Sequence, residues 1–124
     1  MRYASAIILC TVQFVLGFAL SAAADSPIVN DVVASSNGDN WTFSVTLSHP
    51  DSGWDHYADG WRVVDENGAL LGTRILHHPH VQEQPFTRSL GNVKIPRITK
   101  YVLIETRCSQ DGWSNEQYKV TLQP

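Results

Sequence analysis

The sequence predicts an all-β domain, an antiparallel two-sheet sandwich of seven short strands, and three observations carry that prediction. After residue 24 the apolar residues recur with a period of two, never with the period of an amphipathic helix. The apolar runs are short and are separated by turn chemistry such as Asn37-Gly38-Asp39 and Asn67-Gly68. Residues 25–124 are also enough chain for a single domain with its own core.

The strands follow in order. Residues 28–34, from Ile28 to Ala34, form the first. The second, 41–48, places Trp41, Phe43, Val45 and Leu47 on one face and Thr42, Ser44, Thr46 and Ser48 on the other, the pattern of a strand with one buried and one wet side. The third spans 60–66 with Trp61 and Val63 inward. Asn67-Gly68 then supplies the positive φ angles of a tight hairpin into the fourth, 69–76. The fifth, 86–93, carries Gly91, which predicts an irregularity there. The sixth, 101–108, has Val102, Ile104 and Thr106 as its uncharged face, and the seventh, 117–123, turns Tyr118, Val120 and Leu122 inward.

Charge and the leader bound the function. Nine Lys+Arg against 12 Asp+Glu give a net charge of −3, scattered singly, which argues against a nucleic-acid partner. Residues 1–24 read as a signal peptide: Met1-Arg2, an apolar run from Ala4 to Leu20, then Ser21-Ala22-Ala23-Ala24 as a small-residue cleavage site before Asp25. No positive stop-transfer residues follow the apolar run, and Cys10, after Leu9, lies too deep in it for lipidation. The expectation is a soluble 25–124 domain, periplasmic or secreted, with no membrane contact after cleavage. Cleavage leaves Cys108 alone, so no internal disulfide can form and the core must hold the fold. The thiol is read as a small buried side chain, with a soft metal ligand as the functional alternative.

The buried-Trp third strand (Gly60-Trp61-Arg62-Val63), the stretch Val93-Lys94-Ile95-Pro96, and the Val102-x-Ile104 strand followed by Asp111-Gly112-Trp113 resemble immunoglobulin-like and fibronectin type III-like domains across residues 28–122. The resemblance implies an immunoglobulin-like sandwich. The sequence departs from those domains in having no cysteine pair and in placing Val102 where a corner tyrosine often stands.

Strand parity supplies the functional clue. If consecutive strands are antiparallel, residues 48–59, 77–85 and 109–116 share one pole, and they hold all five histidines: His49, His56, His77, His78 and His80. Loops held on a rigid scaffold favour binding residues. In an extended segment stiffened by Pro79, His78 and His80 point the same way. With His56 and Glu83 they form a candidate metal set suited to zinc or copper. Asp59, His77, Arg88, His49, Trp54 and Trp113 are expected to support that site or bind a ligand.

Two other readings stand beside this one. The loop histidines can simply build the loops, with Glu83 and Arg88 as an ion pair onto the fifth strand. Alternatively Trp54, Tyr57 and Trp113 can present aromatic rings to a protein or glycan partner. No residue spacing orders a base against a nucleophile, and no nucleophile elbow or phosphate cradle occurs, so no catalytic residues are expected.

Overall fold

The computed structural model describes residues 25–123; the expected signal peptide, residues 1–24, lies outside the described residues. The described chain is all-β, without a helix, in two antiparallel sheets. In chain order the strands are β1 (Ile28–Asn37), β2 (Asn40–Ser48), β3 (Ala58–Val64), β4 (Leu70–Ile75), β5 (Phe86–Lys94), β6 (Tyr101–Cys108), β7 (Gly112–Trp113) and β8 (Tyr118–Thr121). One sheet has the order β1-β2-β5, the other β4-β3-β6 with β7 and β8 both on the far edge of β6. The seventh strand expected at 117–123 is β8, and the two-residue β7 is an additional piece of ladder on β6 within the stretch 109–116 that the sequence reads as a connection.

The alternation in β2 does what a period of two requires: Trp41, Phe43, Val45 and Leu47 are buried, and they meet Trp61, Val63, Val102, Ile104 and Phe86 in one core. Each such side chain contributes on the order of 1.5–3 kcal/mol by leaving water. On the outer face of the small sheet, Ser44 and Thr46 share hydroxyl hydrogen bonds with Ser89 and Thr87, both at 2.7 Å.

Three irregularities adjust this frame. The register slips between Val29 and Asp31, so that Val32 and Ala34, opposite Val45 and Phe43, turn toward the core in place of Asp31 and Val33. A second slip between Trp41 and Phe43 falls opposite Gly91 and Asn92, the irregularity that Gly91 predicts; Asn92 takes φ 58°. At the β3–β4 turn only Gly68 has positive φ, at 81°, where the sequence reading gave it to Asn67 as well. The Asp65 carboxylate organises that turn by accepting from the amides of Asn67 and Ala69, which ends β3 at Val64. Tyr118 lies opposite Ile104 on the inward side, yet at the open sheet edge it remains 38% exposed.

Candidate functional site

The β2–β3, β4–β5 and β6–β7 connections meet at one end of the molecule and are tied together by hydrogen bonds. Leu76 N donates to Asp59 O, Ser109 N to Tyr57 O, and Gln110 Nε2 to Asp55 O. His49 N donates to Gln84 Oε1, and Gln84 Nε2 in turn to the carbonyl of His80. All five histidines belong to the first two of these connections.

Asp51 is the centre of this pole. Its buried carboxylate accepts from His49 Nδ1 and Ala58 N at one oxygen and from His80 N (2.8 Å) at the other. One side chain thus fixes the end of β2, the start of β3 and the β4–β5 loop. The second nitrogen of His49 faces the carbonyl of Asp25 at 2.8 Å, so both ring nitrogens lie against oxygen acceptors.

His56 arrives beside His49 because the loop doubles back. Gly53, with φ +146°, pairs with His56 in an isolated bridge, and Ser52 N donates to His56 O. The two imidazoles meet edge to face with centroids 4.8 Å apart. His56 Nε2 is buried without a hydrogen-bond partner among the described residues. Cys108 closes the group: it ends the inward face of β6 after Val102, Ile104 and Thr106 and is 1% exposed. Burial pushes its thiol above the ordinary 9.0, against the lowering effect of backbone hydrogen bonds from Asp111 and Gln110. Asp111 N donates to Sγ at 3.4 Å.

One donor atom from each of His49, His56 and Cys108 lies within 4.8 Å of the other two. Zinc bonds of about 2.0 Å to nitrogen and 2.3 Å to sulfur need donors roughly 3.3–3.8 Å apart, so an ion would draw this group inward by about 1 Å. Imidazole with thiolate suits zinc and copper. A ring that donates Nδ1–H to a carboxylate, as His49 does to Asp51, is the usual support of a metal-bound histidine.

The residues expected from the sequence are distributed differently. Of His56, His78, His80 and Glu83, only His56 belongs to the converging group. His78 and Glu83 are exposed, and the His78 ring lies against that of His80 as the two-residue spacing predicts, with centroids 4.6 Å apart. His80 is buried and stacks on Phe86 (centroids 4.0 Å, 9° between planes). Its Nε2 accepts from Arg88 Nη2 at 2.9 Å, and its Nδ1 is buried without a partner. Burial first, then the Arg88 and His78 charges, lower its pKa from 6.5. Glu83 and Arg88 form the ion pair of the structural reading, at 3.5 Å. His77 is exposed, and Asp59 pairs with Arg107. Trp54 is 68% exposed with Tyr57 edge-on behind it, and Trp113 lies under the Arg62 guanidinium at 3.9 Å. Sequence reasoning missed Asp51; its signal was a short carboxylate two residues past His49, across Pro50, where a strand ends.

No protein-family model matches the chain. Over 92 residues, 74% of this chain, it is 36% identical to a protein of Halomicrobium mukohataei described as "Putative lipoprotein". The match covers 45% of that relative, so the chain spans under half of its length. A hypothetical protein from Pyrococcus horikoshii OT3, known as a crystal structure, superposes with a TM-score of 0.48 at 16% identity, over 83% of this chain and 94% of that one. Among the described residues no helix is long and apolar enough to cross a membrane.

Proposed function

We propose that the protein is an exported, non-catalytic binding domain whose loop pole takes up one transition-metal ion, zinc or copper, through His49, His56 and Cys108. Two observations carry the reading: one donor atom from each of these residues lies within 4.8 Å of the others, and His56 Nε2 is buried without a partner among the described residues. A buried nitrogen without a partner costs about 1–3 kcal/mol, which a bound metal would offset. The description of the Halomicrobium relative supports a place in the cell envelope or outside it. The strand order supports the immunoglobulin-like reading: first, second and fifth strands in one sheet, third and sixth central in the other.

The test is titration of metal-free protein with zinc and with copper. One equivalent is expected to bind tightly, to be lost in His56→Ala and in Cys108→Ala, and to persist in His78→Ala. With divalent copper, a thiolate charge-transfer colour that disappears with Cys108→Ala is expected. Binding that survives both substitutions would place the ion elsewhere.

A second reading rests on His49, whose two nitrogens already face the Asp51 carboxylate and the Asp25 carbonyl. On this reading the pole histidines are structural and the domain recognises a protein or glycan. Absence of stoichiometric binding, with a large loss of stability in His49→Ala, favours it.

A further inference from the structure

The outer face of the β4-β3-β6-β7 sheet, beside the pole, has a row of cross-strand partners running Ile75, Gly60, Arg107, Trp113. Gly60 interrupts that row. With no side chain there, the sheet surface drops to backbone between Ile75 and Arg107. The result is an open groove of about 330 Å³ lined by Asp59, Gly60, Thr73, Ile75, Arg107 and Trp113. A volume of this size lies at the small end of ligand pockets, on the order of 300–1,000 Å³.

The polar groups on the groove select a ligand type. Arg107 Nε is shared between both oxygens of Asp59, each at 3.1 Å, and its two Nη atoms carry no protein hydrogen bond among the described residues. Donors and acceptors are therefore held side by side at one end of the groove, the arrangement that neighbouring hydroxyls match. Anionic ligands are disfavoured by charge balance. Arg107 is neutralised by Asp59, and Arg62, over Trp113, by Glu105 at 2.8 Å. The Trp113 indole and the Ile75 side chain supply apolar walls for the C–H surface of a ring.

We infer that this groove binds a neutral, hydroxyl-rich ligand, a saccharide, held between the Asp59–Arg107 pair and the Trp113 indole. It uses a different surface from the metal ligands, so it stands or falls independently of them. The experiment titrates the intact protein, in chelator, with cellotriose, maltotriose and chitotriose by calorimetry, and in parallel with inorganic phosphate. The indole N–H resonances of Trp54 and Trp113 are followed by NMR. At least one trisaccharide is expected to bind and to shift Trp113 but not Trp54, with phosphate inert. Trp113→Ala and Thr73→Trp are each expected to weaken binding tenfold or more. Thr73 is exposed on an edge strand, so Thr73→Trp fills the groove while its melting temperature stays that of the parent. Binding of none of the three sugars, preference for phosphate, a response at Trp54 alone, or undiminished affinity in Thr73→Trp would each overturn the assignment.

Discussion

Replacing Asp51 by Asn tests whether one buried carboxylate holds the loop pole together. The side chain is nearly isosteric, so packing is kept and only charge and acceptor capacity change. If the amide oxygen stays toward His49 Nδ1 and Ala58 N, its NH2 faces the His80 N–H, donor against donor. One buried amide left without an acceptor costs about 1–3 kcal/mol. Removing the carboxylate charge also weakens the hydrogen bonds it accepts from His49 Nδ1 and Ala58 N, since a bond to a charged group is worth about 1.5–3 kcal/mol against about 1 for a neutral one, which brings the total to about 3–5 kcal/mol. Against a domain stability of about 5–15 kcal/mol this is a large fraction. For a domain of this size it lowers the melting temperature by on the order of 15–30 °C. The assay is urea and thermal unfolding followed by tryptophan fluorescence, in chelator so that metal loss makes no contribution. Asp55→Asn, on the exposed part of the same loop, is the control and should stay within about 0.5 kcal/mol of the parent. A loss below about 1 kcal/mol for Asp51→Asn, or one no larger than the control's, would refute the clamp.

Stability should also fall on mild acidification because of His80. Its pKa is lowered by burial and by Arg88, so the neutral ring is the native form, and the unfolded chain takes up the proton first. The stabilisation is complete above the unfolded value of 6.5 and is lost as pH falls below it toward the native value. Melts from about pH 7.5 to pH 5 should drop more steeply for the parent than for His80→Gln, and equal slopes would rule the residue out. Gly72 in β4 faces the small sheet, and a Cβ added there would stand 2.9 Å from Leu90 Cδ2 and 3.4 Å from Val93 Cγ2. Gly72→Val should therefore cost about 1–3 kcal/mol in urea unfolding. Combining it with Leu90→Ala should recover part of that loss, because the two sites share the contact.

Strand existence and facing were legible in the sequence because both are local. A period of two in Trp41–Leu47 or Val102–Thr106 fixes which residues leave water whatever the partner strand is. Parity of antiparallel strands likewise assembled the histidine-bearing loops before any contact was known. The boundaries that moved did so for local polar reasons that the alternation does not encode. Asp65 captures two amides and ends β3 early, and the two-residue β7 is too short to show any period.

What the sequence alone determined, then, is a β domain with its histidines in loops at a common pole. Which donors converge was decided only by the tertiary structure. His78 and His80, two apart across Pro79, do bring their rings together with centroids 4.6 Å apart, but Arg88 takes the Nε2 of His80, Asp51 takes its amide, and neither ring reaches His56 in the converging group. His49 and His56 share the β2–β3 loop and Cys108 is distant in the sequence; they meet because Gly53 turns that loop back and the β3–β6 pairing brings the end of β6 beside it. The groove over Gly60 has the same origin, since a missing side chain becomes a depression only when the register sets Ile75 and Arg107 on either side of it. Periodicity is a property of neighbours along the chain, whereas donor geometry and surface relief depend on neighbours across it.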